Sequence, residues 1–197
     1  MSENTQAVPE EIFLTFAELE ALAAELPTWP AVREATGTQP PADGQVAAAG
    51  WATLMLRDLA RQSPGDDKTQ VAGPVIRAAQ SVGGATTILS LVHHRADGTV
   101  MPLFYCAGDT RALLRINGPG LYAITALVND ITIPDQMALL VATLLDQEDG
   151  DIAIGATQGR LTVQKHGDEW GLSTDTAAPH PATKESVLAA VHSLATS

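Results

Sequence analysis

The sequence predicts a single α+β domain, in which an antiparallel β-sheet meander is flanked by helices. Its 197 residues fit one ordinary domain. Apolar residues recur at helical spacing over residues 1–83, and short β-rich runs separated by tight turns follow over 84–130. A helix, short strands and a C-terminal helix are expected over 131–197. The order lacks the strict strand–helix alternation of a parallel α/β enzyme.

Composition narrows the class of protein and of partner. The hydrophobic content of 45% supports a continuous core, and with 4% aromatics that core must be aliphatic. The net charge of −12 argues against nucleic acid or anionic lipid as a partner, because both need clustered Lys and Arg. No signal sequence begins the chain, and apolar runs such as 137–145 are too short to span a bilayer. We therefore expect a cytoplasmic protein without membrane insertion.

The first helix begins with a capping box formed by Thr15 and Glu18, and its apolar face runs to Leu26, before Pro27. The following segment, 29–44, is rich in Pro, Gly and Thr and predicts a loop. These signals place a short helix and a connection before the next apolar run.

Two further helices are predicted from apolar spacing over 45–62 and 71–82. Trp51 and Met55 are four residues apart and share a face of the first of them. Pro74 suits the first turn of the helix over 71–82, because a backbone N–H would have no partner there in any case. Gly83-Gly84 ends this helix.

The remaining elements follow from β-rich runs and turn residues. Four strands joined by short turns predict a meander, because parallel pairs need long crossovers; they cover 86–94, 99–107, 111–117 and 121–129. The elements expected after the meander are a helix over 134–145, strands over 152–156, 161–165 and 170–174, and a helix over 182–195.

Residues with catalytic or metal-binding chemistry do not form a recognisable motif. Adjacent strand residues point to opposite faces, so His93 and His94 cannot converge on one ligand. Cys106 is the one cysteine, which excludes an internal disulfide and a cysteine-rich zinc site. We expect no enzyme, metal or cofactor. A nucleophilic Cys106 assisted by a strand histidine is a distant alternative, and it would need a lowered thiol pKa.

The segment from Gly159 to Leu194 carries a distinctive order of features. Gly159-Arg160 opens a strand, Trp170 lies on the return strand, and a proline-bearing loop leads to an amphipathic helix. This order resembles the C-terminal end of the EspG family, cytosolic chaperones of the type VII (ESX) secretion system of actinobacteria. The opening helix and the meander are similar to the family's order. The chain is shorter than is usual for the family, and 155–158 replaces an Asp-Thr pair that often precedes Gly-Arg.

The resemblance implies a fold with two quasi-repeated halves. It also implies a non-catalytic chaperone that keeps helical type VII secretion substrates soluble in the cytosol and delivers them for export. Hairpin tips that project from a rigid scaffold, together with exposed parts of the C-terminal helix, are then the expected contacts. The tip residues are Arg95, Asp97, Gly98, Gly108 and Asp109.

Two alternatives remain beside that expectation. Each tip residue is also explained as a plain turn residue, because Asp and Gly tolerate turn geometry. The alternative function is a self-associating structural or regulatory module, such as a homodimer, with no role in secretion.

Overall fold

A large antiparallel sheet with helices on both faces forms the centre of the molecule. The computed structural model describes residues 11–23, 29–35, 39, 41, 43–62, 69–127, 130–156, 159–174, 177 and 179–196. The helices in this part of the chain are α1 (Phe16–Ala21), α2 (Trp29–Ala35), α3 (Gln45–Leu56), α4 (Gly73–Gly83), α5 (Ile133–Gln147) and α6 (Lys184–Thr196). The strands are β1 (Glu11–Thr15), β2 (Ala60–Gln62), β3 (Thr69–Val71), β4 (Thr87–Arg95), β5 (Val100–Ala107), β6 (Arg111–Gly118), β7 (Leu121–Leu127), β8 (Gly150–Ala156), β9 (Gly159–His166), β10 (Glu169–Thr174) and β11 (His180–Ala182).

Nine of these strands form one sheet in the order β1-β7-β6-β5-β4-β8-β9-β10-β11. Each neighbouring pair is antiparallel, as is the separate β2–β3 ribbon. The α+β class and the antiparallel meander flanked by helices are therefore confirmed.

The sheet contains the same unit twice, a four-stranded meander followed by a helix. The first unit is β4 to β7 with α5, and the second is β8 to β11 with α6. Their first strands pair antiparallel at the centre, where Leu91 lies opposite Ile154. The helices lie side by side, with Lys184 of α6 2.8 Å from Asp146 of α5. The sheet therefore consists of two similar halves, each of them a four-stranded meander followed by its own helix.

Two apolar cores lie on opposite faces of the sheet. The core beneath α1 to α4 includes Leu14, Leu19, Leu22, Leu54, Val75, Val82, Phe104, Cys106 and Leu114. The core beneath α5 and α6 includes Leu89, Leu91, Leu103, Tyr105, Met137, Val141, Ile152, Val163 and Val187. Because side chains alternate along a strand, β5 contributes to both cores.

The start of α1 confirms the capping box. The Glu18 backbone N–H donates to Thr15 Oγ1 at 3.2 Å, and the Thr15 N–H donates to Glu18 Oε2 at 2.7 Å. The proposed extension of this helix to Leu26 reaches residues outside the described ranges. Immediately before the cap lies β1, a strand that the sequence did not predict, paired with β7.

The prediction of a loop at the start of 29–44 is wrong, because Trp29–Ala35 forms α2. The Trp29 side chain is buried, and its indole N–H donates to Glu20 Oε1 at 2.7 Å. Its ring also packs edge-on against Tyr122, with centroids 6.0 Å apart. Proline is tolerated in a first turn, so Pro30 does not interrupt the helix.

The helix predicted over 45–62 ends early, at Leu56. Asp58 has a left-handed φ of 56°, and the chain then enters β2, which pairs with β3. The next helix consequently begins at Gly73 instead of 71, with Pro74 in its first turn as predicted. The segment 180–182, predicted as part of the proline-bearing loop and the start of the last helix, forms the edge strand β11.

Candidate functional site

The structure does not bring the five tip residues together. Arg95, Asp97 and Gly98 lie at or in the β4–β5 turn, whereas Gly108 and Asp109 lie in the β5–β6 turn. The eight residues of β5 separate the two turns by roughly 25 Å. These residues therefore form two separate tips at opposite ends of the sheet.

Most of the tip residues have a local role in turn geometry or packing. Asp97 accepts a hydrogen bond from the Thr99 N–H at 2.8 Å, which lowers the pKa of Asp97. Gly98 has a φ of +84°, and a Cβ on Gly108 would lie 2.4 Å from the Gly84 carbonyl oxygen. Arg95 forms an ion pair with Glu148 at the end of α5.

The geometry counts against the hypothesis of a Cys106 nucleophile. Cys106 is buried and lies opposite Ile88 in the sheet, in the core under α1 to α4. Burial raises the pKa of its thiol to about 12, so the reactive thiolate is absent at neutral pH. His94 pairs six residues further along β4, roughly 20 Å away, and His93 points to the opposite face. Among the described residues, no group of three or more His, Cys, Asp and Glu could hold a metal ion.

His93 is a buried titratable side chain on β4, on the same face of the sheet as Leu89 and Leu91. It is 1% exposed, and neither ring nitrogen has a hydrogen-bond partner among the described atoms. Burial lowers the pKa of His93 below 6.5, and the neighbouring charge of Arg95 lowers it further. Glu148 and Asp151 oppose these effects without reversing them.

This environment predicts that the protein loses stability in mild acid. Below about pH 6.5 the unfolded chain takes up a proton that buried His93 resists. The free energy of unfolding should therefore fall as the pH drops below that value, by up to about 1.4 kcal/mol per pH unit for this one proton. Urea unfolding at several pH values measures the slope. His93→Leu should flatten it, whereas the matched variant His94→Leu, at an exposed site, should leave it unchanged; equal slopes in all three proteins would contradict the prediction.

An apolar groove lies between the end of α1, helix α3, strand β3 and helix α4. Its volume is about 750 Å³. The buried residues Ala21, Leu22 and Ala79 and the partly exposed residues Trp51, Val71 and Ile76 supply its apolar lining. The polar lining residues in the described part of the chain are Thr69, Gln70 and Gln80, and none of the lining residues described there is charged.

Close contact between helices builds one wall of this groove. Gly50 of α3 sits against the backbone of Ala17 in α1, where a side chain has no room. Trp51 follows directly and is thereby placed beside the end of α1. Pro74 opens α4, which carries Ile76 and Ala79 to the facing wall. The contact between Gly50 and Ala17 therefore fixes the wall that carries Trp51, and the start of α4 fixes the facing wall that carries Ile76.

Helix α3 is almost entirely apolar, and yet half of its twelve residues are exposed. Among its twelve residues, Gln45 and Thr53 are the polar ones. Gly50 and Leu54 are its buried residues, and Leu56 is 87% exposed. A helix that is apolar all round is normally buried in a core or an interface. Helix α3 and the groove together are therefore the candidate functional surface.

Sequence reasoning placed Trp51 and Met55 on one helix face but did not find the groove. The groove combines residues from four separate segments, and their approach depends on packing at Gly50. The signal in the sequence that could have indicated this surface was the composition of α3. The eleven residues that follow Gln45 in this helix include one polar side chain, that of Thr53.

No protein-family model matches the chain, and no curated protein matches it. Within the described residues, no helix combines the length and apolar character needed to cross a membrane.

Proposed function

We propose that the protein is a non-catalytic chaperone or adaptor that binds an apolar helical segment of a partner protein. The observation that carries this proposal is the open apolar groove, bounded by α1, α3, β3 and α4. An amphipathic helix that binds in such a groove inserts apolar anchors at spacings of three and four residues. Trp51, Val71 and Ile76 are the apolar side chains that such anchors would contact.

The lining formed by the described residues is uncharged, and this property indicates the chemistry of the partner. Its polar members are Thr69, Gln70 and Gln80, which offer hydrogen bonds and no ionic attraction. Burial of apolar surface is then the main source of affinity. The net charge of −12 adds a long-range repulsion against strongly acidic partners. The preferred occupant is an apolar helix tip flanked by neutral polar residues.

The particular partners that we propose are helical-hairpin substrates of a type VII secretion system. This choice rests on the resemblance of the segment Gly159 to Leu194 to EspG chaperones, and on a groove of suitable chemistry for an apolar helix tip. The chaperone would work in the cytoplasm, cover the tip until export and then release the substrate to the secretion machinery.

Binding by a groove variant and a matched control tests the proposal. Ile76 lies in the groove and is 37% exposed, so Ile76→Glu should fold and place a charge against the apolar partner. We expect it to weaken binding at least tenfold, since burying an unpaired charge is costly. Leu139→Glu, at a site on α5 that is 59% exposed, should leave binding unchanged.

The measurement is co-purification with each helical-hairpin substrate encoded in the same genome, followed by calorimetric titration of any complex. Thermal melting of both variants verifies their folding. Absence of a complex with every substrate would overturn the secretion role. A complex that Ile76→Glu and Leu139→Glu bind equally well would overturn the assignment to the groove.

A further inference from the structure

We infer that the outward face of α3 pairs two copies of this chain in an antiparallel arrangement. This face consists of Ala48, Ala49, Ala52 and Leu56, all of them exposed. It is separate from the groove, because Ala52 follows Trp51 by one residue and is rotated from it by about 100° around the helix axis. The inference does not depend on the function proposed for the groove.

Apart from Gln45 at the start of the helix, the outward face lacks the polar and charged residues that normally cover the solvent side of a surface helix. Helices α5 and α6 show the ordinary pattern, since their exposed positions include Asp135, Asp146 and Glu185. In α3 the corresponding positions carry three alanines and the 87% exposed Leu56. Covering this face would remove the most exposed large apolar side chain of the described chain from water.

The shape of the face is complementary to itself. A two-fold axis through Ala52, perpendicular to the helix, places Leu56 of one copy opposite Ala48 of the other. The alanines allow two helix backbones to approach closely, and each leucine fills the space that they leave. An interface around a two-fold axis needs this property, because the same patch must serve both partners.

The charges near the helix ends agree with an antiparallel pair. Asp43 is exposed just before α3, and the 78% exposed side chain of Arg61 lies beyond its end. Arg61 is also 3.7 Å from Asp58, an exposed and hence weak contact. The antiparallel arrangement places Asp43 of one copy beside the C-terminal end of α3 in the other, near which the exposed side chains of Asp58 and Arg61 both lie, and it opposes the two helix dipoles. A parallel pair would align both dipoles and place like ends together.

The size of the face sets the strength of the dimer. A twelve-residue helix is about 18 Å long. One such pair buries less than the roughly 800 Å² per partner that is usual for stable complexes. We therefore expect a dissociation constant in the micromolar range or above, so that the fraction of dimer changes with the protein concentration.

Cysteine cross-linking of the protein alone tests this arrangement. Ala52→Cys places two thiols at the proposed axis, where mild oxidation can join them, and buried Cys106 does not compete. Thr143→Cys, at an exposed site on α5, is the matched control. We expect at least tenfold more covalent dimer from Ala52→Cys than from Thr143→Cys at equal concentration.

Sedimentation of the unmodified chain provides the second measurement. The average mass should rise towards that of a dimer with concentration, and Ala52→Glu should return it to the monomer without loss of helical circular dichroism. A chain that stays monomeric at several hundred micromolar, or cysteine variants that cross-link equally, would overturn the inference. Neither result concerns secretion substrates, so groove binding is judged separately.

Discussion

Gly50→Ala is expected to lower the free energy of unfolding by about 3 kcal/mol or more, because it overpacks a backbone contact. A Cβ at position 50 would lie 1.8 Å from the Ala17 carbonyl oxygen and 2.9 Å from the Glu18 backbone nitrogen. Both are main-chain atoms, which cannot swing aside as a long side chain would. α1 and α3 must separate to admit the methyl group, and the groove beside them must change shape.

Urea unfolding followed by circular dichroism measures this loss. The matched control is Gly44→Ala, at the start of the same helix, where a Cβ meets nothing within 4 Å. The control should lower the free energy of unfolding by no more than about 1 kcal/mol, since alanine is a poorer N-cap than glycine but its methyl group meets no steric obstacle there. Equal stabilities of the two variants would show that α1 and α3 do not touch backbone to backbone.

Glu18→Ala should have the second largest effect, a loss of about 2–3 kcal/mol in the free energy of unfolding. The Glu18 side chain is fully buried and accepts hydrogen bonds from the Thr15 N–H at 2.7 Å and from Arg57 Nη1 at 2.8 Å. Its removal leaves the partly buried N–H of Thr15 without its acceptor and Arg57 without its counter-charge. Arg57 is 39% exposed and keeps access to water, which places the cost below that of a fully buried pair.

The exposed pair of Glu11 and Arg115 provides the comparison. These side chains are 3.0 Å apart and each is 34% exposed. Glu11→Ala should therefore cost less than about 1 kcal/mol, as is usual for surface ion pairs. Thermal and urea unfolding of both variants should rank Glu18→Ala well below Glu11→Ala in stability. The reverse order would contradict the structural role of the Glu18 network.

Features that depend on neighbouring residues were predictable from the sequence. Thr15 and Glu18 lie three residues apart and form their capping box almost independently of the rest of the chain. The turn at Asp97 and Gly98 is likewise local, with Asp97 accepting from Thr99 and Gly98 at positive φ. Such signals were sufficient for the meander and for most helix starts.

Features that depend on distant residues were not predictable. Strand β1 exists because Glu11–Thr15 pairs with β7, where Glu11 lies opposite Thr125. Helix α2 depends on burial of Trp29 against Tyr122 and on its bond to Glu20. The groove has the same origin, because its walls come from four segments. The Asp and Gly residues of the turns are recognisable in the sequence, so the predicted site was placed at the hairpin tips. The helices that form the groove were not considered, because their contacts are not visible in the sequence.

The alternation of side chains along β5 determines how the molecule comes apart. Phe104 and Cys106 belong to the core beneath α1 to α4, whereas Leu103 and Tyr105 belong to the core beneath α5 and α6. Displacing this strand opens both cores to water at once. Neither core can melt alone while β5 stays in register, so the two cores on opposite faces of the sheet denature together as one cooperative unit.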